Sequence, residues 1–468
     1  MYKKNTHIHF IGIGGIGMSA LALILRSRGY IVSGCDSDIT SPILTTLHNS
    51  GCTVYNANNS PYCRDTSIDI LVYIPMYAHT IPSITMEIMN AQAQGIVTIT
   101  RAQMLAELMR TQYSIAVAGS HGKTTTSSLI AHILLEAHYD PSIAIGGILE
   151  TINSNAYAGL GNYMVVEADE SDRSFLYLNP TLAVITNIDL EHLETYKDLS
   201  DIKDTFTQFI YKIPFYGKAI INRDDAHIRS LALDTINTLS YGIDVHADIM
   251  ARDITLSSDH STFSLITTHS GIIENVYIPL AGIHNVYNAL AAITVSHEIG
   301  VEWNSIITKL ATFRGVQRRF SFHGVSTHLE VEVFDDYGHH PKEIYSTLMV
   351  ARKRAKNRLV VVFQPHRYTR TYRLWDEFLI TFSKEMLDVL ILTDIYSAGE
   401  STIESVTSQR LAQELQTVHP ALIVHYAPFT PDFCYINQTI LQSTEKHDLV
   451  LLLGAGKMHE ITTLLVQK

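Results

Sequence analysis

The chain has 468 residues, more than one hydrophobic core usually contains, and this length predicts two to four domains. Hydrophobic residues make up 46% of the chain and charged residues 17%, a balance typical of globular proteins that argues against long disordered segments. The formal net charge of −12 argues against nucleic-acid binding, because no surplus of basic side chains is available to neutralise phosphates.

Short strand-like segments alternate with amphipathic helical segments, a rhythm that predicts parallel sheets with helices on both faces. The first unit is predicted to contain four strands and a closing helix, at His7–Ile11, Tyr30–Ser33, Ile68–Ile74, Gly95–Ile99 and Arg101–Met109. We expect a domain boundary near Thr111.

A second unit follows, in which three strands and two helices are predicted. The strands are Tyr113–Ala118, Tyr163–Val166 and Leu182–Asn187, and the helices are Thr124–Glu136 and Asn285–Ile299. Residues 247–279 alternate polar and apolar side chains, which predicts an antiparallel part of the sheet. The pair Arg314-Gly315 is expected to form the next hinge.

The last unit repeats strand and helix in a regular order. Its four predicted strands are Leu329–Phe334, Arg358–Phe363, Asp388–Leu392 and Asp448–Leu453. A helical pattern follows each of the first three, and the fourth continues into the turn Gly454–Gly456 and a short terminal helix.

The four cysteines form no CxxC pair and have no zinc-like spacing, so a reducing, cytoplasmic compartment without a structural metal is expected. No apolar stretch reaches the length of a membrane span, so we expect no membrane insertion.

A glycine turn lies between the first predicted strand and the following helix. Residues 12–17 satisfy the pattern G-x-G-x-x-G, with glycines at Gly12, Gly14, Gly15 and Gly17. Such a turn lets backbone N–H groups at a helix N-terminus approach a diphosphate, and Asp36, after the second strand, is placed to bind ribose hydroxyls. The alternative is a turn needed only for close packing of helix on strand.

The most specific motif is a phosphate-binding loop between the strand Tyr113–Ala118 and a helix. It comprises Gly119, Ser120, His121, Gly122, Lys123, Thr124 and Thr125. Backbone donors of such a loop surround the β-phosphate of ATP, the lysine neutralises phosphate charge, and the hydroxyl of Thr124 is placed to bind Mg²⁺. Val117 stands where the longer form of the motif has glycine, so this is the short form, G-x-x-G-K-T.

Acidic runs follow two other predicted strands, at Glu167–Asp172 and Asn187–His192. Ligands collect at the carboxyl ends of parallel strands, so both runs are expected beside the phosphate loop. Carboxylates and neutral imidazoles bind Mg²⁺, and we favour this role for Glu167 and His192. The alternative, an acidic turn or a helix cap, stays open for the other acids of the two runs, Asp169, Glu170, Asp172 and Glu191.

Together these motifs resemble the ATP-binding core of the Mur ligases, and the resemblance spans essentially the whole chain. Further segments match the family in its order: His284–Ala289, Gly315–Phe320, Asp335–Pro341, Phe363–Thr371 and Leu453–Lys457. Within the family, Gly12–Met18 and Asp336–Pro341 are most similar to the members that join L-alanine to the lactyl carboxylate of UDP-N-acetylmuramate. The resemblance implies ATP and Mg²⁺ as cofactors, an acyl-phosphate intermediate, and these two compounds as substrates.

The resemblance also implies an α/β fold with three domains. Residues 1–111 would form a Rossmann-like domain for the UDP-sugar, with Gly12, Gly14, Gly15, Gly17 and Asp36 at its site. Residues 112–314 would form a central P-loop ATPase-type domain, and residues 315–468 a second Rossmann-like domain that binds the amino acid.

Roles of single residues follow from the same resemblance. Catalytic roles are expected for Lys123, Glu167, His192, His339 and Arg370, and metal binding for Thr124, Glu167 and His192. Asn288, Arg319 and Asp336 are expected to contact ATP in addition to the loop. The amino acid is expected to contact His339, His366, Arg367 and Arg370, because an arginine fork matches a carboxylate in two hydrogen bonds.

Other readings of the sequence remain. A ligase that attaches a recycled murein tripeptide to the same nucleotide sugar is the nearest competitor. The glycine turn alone would suit a dinucleotide-dependent oxidoreductase, and the phosphate loop alone a regulatory ATPase. Tyr73–Met76 departs from the small hydroxyl residues usual in the family, so no sugar contact is assigned there. We expect a monomer or homodimer.

Overall fold

A computed structural model describes residues 5–57, 67–75, 78, 81–192, 195–268, 271–326, 329–382 and 385–466. The chain forms two compact units. The first comprises residues 1–254, 263–278 and 285–314, and the second comprises residues 255–262, 279–284 and 315–468. Met76, within the segment that departs from the family pattern, lies outside the described residues.

The first unit begins with a parallel sheet of five strands in the order β3-β2-β1-β4-β5. These strands are His7–Ile11 (β1), Ile31–Asp36 (β2), Thr53–Asn56 (β3), Ile70–Tyr73 (β4) and Val97–Thr100 (β5). The helices are Ile16–Ser27 (α1), Pro42–Asn49 (α2), Pro82–Ala93 (α3) and Arg101–Met109 (α4). The strand order reverses at β1, and ligands of such sheets bind at this point.

The same unit continues with a sheet of ten strands, in the order β15-β14-β13-β12-β11-β10-β6-β9-β7-β8. The strands are Tyr113–Ala118 (β6), Ser142–Leu149 (β7), Ser154–Tyr157 (β8), Tyr163–Glu167 (β9), Leu182–Ile185 (β10), Lys218–Asn222 (β11), Thr238–Gly242 (β12), Ile249–Leu256 (β13), Ser261–Thr267 (β14) and Gly271–Ile278 (β15). The helices are Lys123–Glu136 (α5), Leu199–Ile210 (α6), Ala226–Arg229 (α7), Ile283–Glu298 (α8) and Trp303–Leu310 (α9). Strand β6 pairs in parallel with both β9 and β10, and all three are almost entirely buried.

The second unit contains a six-stranded sheet in the order β16-β17-β21-β18-β19-β20. The strands are Ser321–Ser326 (β16), Val331–Asp336 (β17), Leu359–Phe363 (β18), Val389–Leu392 (β19), Ile423–Tyr426 (β20) and Leu449–Leu453 (β21). The helices are Pro341–Arg354 (α10), Tyr368–Arg373 (α11), Trp375–Thr381 (α12), Ser408–Val418 (α13), Cys434–Ser443 (α14) and Ile461–Val466 (α15). The sheet is parallel except at its edge, where β16 runs antiparallel to β17.

The α/β class and the parallel sheets predicted from the sequence are confirmed, with differences in detail. The predicted strand Leu182–Asn187 ends at Ile185, because the next two side chains turn towards the phosphate loop. The antiparallel edge strand β16 was not predicted, since its inward and outward positions carry no clear apolar alternation. Strand β12 pairs in parallel with β13, and the antiparallel part expected within residues 247–279 stays a prediction. Among the described residues, no helix combines the length and the hydropathy needed to cross a membrane.

Candidate active site

The glycine turn closes tightly on the second strand of its sheet. The N–H groups of Gly12 and Ile13 both donate to the carbonyl of Cys35, at 2.8 and 3.0 Å, and the carboxylate of Asp36 accepts from the Gly14 N–H at 2.8 Å. A Cβ on Gly14 would lie 2.8 Å from that carboxylate, so a side chain there would displace it. In this structure Asp36 therefore holds the turn itself, and its predicted contact with ribose hydroxyls stays a prediction.

The phosphate loop depends on two glycines in left-handed backbone conformations. Gly119 has φ of 138° and Gly122, the residue that precedes α5, has φ of 79°. A Cβ on Gly119 would lie 2.0 Å from the Thr186 hydroxyl, and one on Gly122 would lie 2.5 Å from the Asn288 side-chain oxygen. Both positions thus require glycine for conformation and for space.

Polar side chains from neighbouring elements hold the loop in place. Asn187 makes two hydrogen bonds to the backbone of His121, accepting from its N–H at 2.8 Å and donating to its carbonyl at 3.0 Å. The hydroxyl of Thr186 donates to the same carbonyl at 2.6 Å. Asn288, predicted to contact ATP, accepts from the Thr126 hydroxyl at 3.1 Å. Because β10 pairs beside β6, the residues that follow it reach this loop directly.

The ammonium group of Lys123 is surrounded by oxygen atoms. It donates to the carbonyls of Gly119 and Ser120 at 2.7 and 3.1 Å, and to the carboxylate of Glu170 at 2.8 Å. Burial opposes its charge, but the carboxylates of Glu170 and Glu167 more than offset this effect and raise the pKa of Lys123. The lysine is therefore a permanent cation at the start of α5.

A group of carboxylates and imidazoles lies beside that ammonium. One ligand atom from each of Glu170, Glu191 and His192 lies within 4.8 Å of the others. The Nε2 atom of His192 is 3.4 Å from Glu170 and 3.6 Å from Glu191, and His121 is 3.5 Å from Glu191. Within the part of the chain that the structure describes, the second carboxylate oxygen of buried Glu170 has no hydrogen-bond partner. This donor set suits a divalent cation.

The other acids of the first run have different surroundings. The carboxylate of Glu167, at the end of β9, accepts from the Gly146 N–H at 2.9 Å. Asp169 accepts from the Ser171 N–H and forms an ion pair with Arg101 at 3.4 Å. Asp172 accepts from the Ser174 N–H, two residues further on, in a turn that precedes a short 3₁₀ helix. Asp169 and Asp172 thus both stabilise turns, whereas Glu170 reaches Lys123 instead.

In the second unit, the predicted amino-acid site gathers around the end of β18. His366 accepts a hydrogen bond at Nδ1 from the Arg370 guanidinium at 3.0 Å, and its ring lies 5.5 Å from that of His339. Burial and the guanidinium of Arg370 lower the pKa of His366 to about 4, so this imidazole is neutral near pH 7. Burial lowers the pKa of His339 to about 3 as well. Three of the four predicted residues, His339, His366 and Arg370, thus lie together. They supply a neutral hydrogen-bond acceptor, His366, and a fixed cation, Arg370.

Arg367 is bound differently from Arg370. Its guanidinium donates to the carboxylate of Glu400 at 2.5 Å, and the same carboxylate accepts from the N–H and the hydroxyl of Thr369 at 3.0 and 2.7 Å. The backbone of Arg367 has φ of 70°, a strained conformation for a residue other than glycine. Arg367 therefore shapes the loop that carries His366 and Arg370. The sequence motif did not indicate this pairing of Arg367 with Glu400.

The adjacent histidines point in different directions. His340 begins α10 as its N-cap, and the Glu343 side chain completes the capping box. The ring of His339 instead lies against His366, and its Nδ1–H donates to the Tyr337 carbonyl at 3.1 Å. His340 thus stabilises the start of its own helix, whereas His339 belongs to the group around His366.

Two predicted ATP contacts lie at the end of β17. The buried carboxylate of Asp336 accepts from the N–H groups of Phe320 and Gly338 at 2.8 and 2.7 Å, and burial raises its pKa to about 6. The guanidinium of Arg319 lies over the Tyr337 ring, 5.5 Å from its centroid. Arg318 is partly buried, and its guanidinium donates to the carbonyls of Gly454 and Gly456 at 2.6 and 2.9 Å.

Three residues of the site had no role assigned to them by a sequence motif. Glu170, Thr186 and Glu400 act through contacts between segments distant in sequence. For Glu170 the only signal was its place in an acidic run after a predicted strand, and for Glu400 there was none.

Comparison with known proteins gives three matches to family models along the chain. The model for the Mur ligase family, catalytic domain, matches residues 7–113, that for the Mur ligase middle domain matches residues 117–296, and that for the Mur ligase, glutamate ligase domain, matches residues 318–456. The UDP-N-acetylmuramate–L-alanine ligase of Desulforapulum autotrophicum is 41% identical over 469 residues, which cover 100% of this chain and 99% of that protein. The enzyme of the same name from Desulfotalea psychrophila is 42% identical over 476 residues and 100% of both chains.

Solved structures agree with these matches. The crystal structure of the UDP-N-acetylmuramate–alanine ligase from Thermotoga maritima aligns with a TM-score of 0.81 and 25% identity over 99% of each chain. A murein peptide ligase from Psychrobacter arcticus aligns with a TM-score of 0.71 and 24% identity, over 99% of this chain and 98% of that one, which shows a shared fold. With three family models in series and relatives above 40% identity along its whole length, this chain belongs to the Mur ligase family.

Proposed function

We propose that this protein joins L-alanine to the lactyl carboxylate of UDP-N-acetylmuramate, with cleavage of ATP to ADP and phosphate. The observation that carries the proposal is the ammonium of Lys123, which a phosphate-binding loop and Glu170 hold beside a carboxylate–histidine group. Full-length relatives named UDP-N-acetylmuramate–L-alanine ligase support the choice of substrates. The role belongs to peptidoglycan precursor synthesis in the cytoplasm.

The chemistry explains why a phosphate site is needed. A free carboxylate is a poor acyl donor, because an oxide would have to leave. Transfer of the γ-phosphoryl group of ATP to a carboxylate oxygen forms an acyl phosphate and releases ADP. The amine of L-alanine then attacks the carbonyl carbon, the C–O bond to phosphate breaks, and the amine proton passes to a base. The products are the amide and inorganic phosphate.

Lys123 is proposed to bridge the β- and γ-phosphates and to stabilise the charge that moves during phosphoryl transfer. The remaining loop residues and Asn288 would hold the phosphates through backbone and side-chain donors. Arg319 and Asp336 are also proposed to contact ATP.

Thr124, Glu167 and His192 are proposed to hold Mg²⁺, which when bound would neutralise phosphate charge. An unpartnered carboxylate oxygen on buried Glu170 and the acid–histidine group next to Lys123 are features that fit such a cation. Glu170 and Glu191 lie within reach of the same position and would orient His192.

Arg370 is proposed to bind the carboxylate of L-alanine through its guanidinium fork. Because the Nδ1 atom of His366 accepts from this guanidinium, the imidazole orients the arginine. His339, which burial keeps neutral by lowering its pKa, is proposed to position the incoming amine, and Arg367 shapes the loop.

The glycine turn, with Gly12, Gly14, Gly15 and Gly17, is proposed to bind the diphosphate of the UDP-sugar at the N-terminus of α1. We further propose three domains, with residues 1–111 for the UDP-sugar, 112–314 for ATP and 315–468 for the amino acid.

Release of phosphate from ATP tests this function directly. We expect release only when UDP-N-acetylmuramate and L-alanine are both present, together with formation of the alanyl product. Release that requires the tripeptide L-Ala-γ-D-Glu-diaminopimelate in place of L-alanine would favour the recycling ligase. Release with neither substrate would favour a regulatory ATPase, and a change in nicotinamide absorbance would favour an oxidoreductase.

A further inference from the structure

A second cluster of side chains that could hold a metal ion lies between the first sheet and α3. His9 on β1, Cys35 on β2 and Glu87 on α3 each offer one ligand atom, and these three atoms lie within 4.8 Å of one another. His9 is 0% exposed and Cys35 2%, whereas Glu87 is half-buried at the rim. Apolar side chains of a small core cluster, among them Ile11, surround the group.

The hydrogen bonds of His9 leave one ring nitrogen available for a ligand. Its Nδ1 atom lies 2.8 Å from the Ser33 hydroxyl, which also lies 2.7 Å from Nε2 of His7. The buried Nε2 atom of His9 has no hydrogen-bond partner among the residues that the structure describes. When Nδ1–H donates to Ser33, Nε2 carries a lone pair, as in a histidine that binds a metal while its other nitrogen is held by a hydrogen bond.

We propose that His9, Cys35 and Glu87 form a binding site for a zinc-class divalent cation. Imidazole nitrogen, thiolate sulfur and carboxylate oxygen are the ligand atoms that zinc prefers, and three protein ligands leave a fourth position for water. A neutral imidazole, a thiolate and a carboxylate together carry two negative charges, which balance the ion. Binding converts the Cys35 thiol to a thiolate and releases its proton to solvent.

The site joins β1 and β2 to the helix that covers them, so an ion there would fasten α3 to the sheet. Burial and the neighbouring His7 lower the pKa of His9 to about 4, which keeps the imidazole neutral at pH 7. No sequence motif marks this site, because its ligands come from three elements and lack the short spacing of zinc motifs.

Titration of the full-length protein with Co²⁺ after removal of metals by chelation tests the proposal. A thiolate bound to Co²⁺ gives a near-ultraviolet charge-transfer band, whereas an oxygen and nitrogen site such as the ATP–magnesium site gives none. We expect this band at about one Co²⁺ per chain, and we expect added Zn²⁺ to abolish it.

Two variants and a matched control complete the experiment. Cys35→Ser should lose the band, and Glu87→Gln should weaken Co²⁺ affinity by at least about tenfold. Cys52→Ser should keep the band, because Cys52 is a buried thiol of a different hydrophobic cluster. Circular dichroism verifies that each variant is folded. Absence of the band in the wild-type protein, or its persistence in Cys35→Ser, would overturn the proposal.

Discussion

At the scale of single residues, Lys123 is central to the proposed phosphate site. Its ammonium group contacts two backbone carbonyls and the buried carboxylate of Glu170, so its position is already defined. Phosphate oxygens of ATP would meet a cation that needs little reorganisation, and such preorganised charge is a large contribution to catalysis.

Replacing this lysine should therefore remove catalysis and leave the fold intact. We expect Lys123→Ala to lower the kcat/KM for ATP by at least about a hundredfold, because stabilisation of the transferring phosphoryl group is lost. Phosphate release measures the change. Lys218→Ala, which removes a partly exposed lysine paired with Glu298, is the matched control and should keep normal turnover. Equal turnover in both variants would exclude the proposed role of Lys123.

His366 makes a prediction about pH. The guanidinium of Arg370 can only donate, so the Nδ1 atom of His366 must accept, and protonation would break this contact. The pKa of His366 is lowered to about 4 in the folded protein, against about 6.5 in the unfolded chain. Between about pH 4 and about pH 6.5, the unfolded chain therefore binds more protons than the folded protein does. The contribution of His366 to stability is complete above about pH 6.5 and is lost as the pH falls towards 4.

Urea unfolding midpoints between about pH 7 and about pH 4.5 measure this effect. We expect the wild-type midpoint to fall with decreasing pH, and His366→Gln to reduce that dependence because glutamine does not titrate. His447→Gln removes a histidine whose side chain is 69% exposed and should leave the slope unchanged. If His366→Gln had the same slope as the wild-type protein, the lowered pKa would be wrong.

At the scale of elements, the sequence was informative wherever a motif follows a buried strand. Strand β6 was predicted at its observed bounds, and the acidic runs after β9 and β10 lie beside the loop because all three strands are parallel neighbours. Asn187 and Glu170 lie in those runs, yet their specific partners depend on the register between strands. Local patterns do not encode that register, so motif reasoning could place the runs but not the contacts.

The junction between β6 and α5 gives a prediction of its own. Gly119→Ala would place a methyl group 2.0 Å from the Thr186 hydroxyl at a φ of 138°. We expect the variant to raise the KM for ATP at least about tenfold and to lower the unfolding free energy by about 1–3 kcal/mol. Gly300 has a φ of 91°, but a methyl group added there would have nothing within 4 Å. Gly300→Ala is therefore a control that has the backbone strain of Gly119→Ala without its steric clash.

In enzyme assays, Gly300→Ala should keep the wild-type KM for ATP even though it loses some stability. If Gly119→Ala also retained the wild-type KM, the loop would tolerate a displaced Thr186 and would not depend on this contact.

At the scale of the whole molecule, three sheets with mainly parallel strands each carry a motif at the carboxyl end of a strand. The glycine turn follows β1, the phosphate loop follows β6, and the loop with His366 and Arg370 follows β18. The sequence predicted these three placements, because a strand, a turn and a helix are local patterns. It did not predict the metal-binding cluster of His9, Cys35 and Glu87, since that arrangement arises only when the elements pack together.

The central claim is that ATP activates a carboxylate by phosphorylating it, and oxygen transfer tests this claim most directly. UDP-N-acetylmuramate labelled with ¹⁸O in its lactyl carboxylate is incubated with ATP, Mg²⁺, L-alanine and the protein, and the phosphate is analysed by mass spectrometry. An acyl phosphate predicts that one carboxylate oxygen of each turnover appears in the phosphate and the other stays in the new amide. Product formation with unlabelled phosphate would contradict the account.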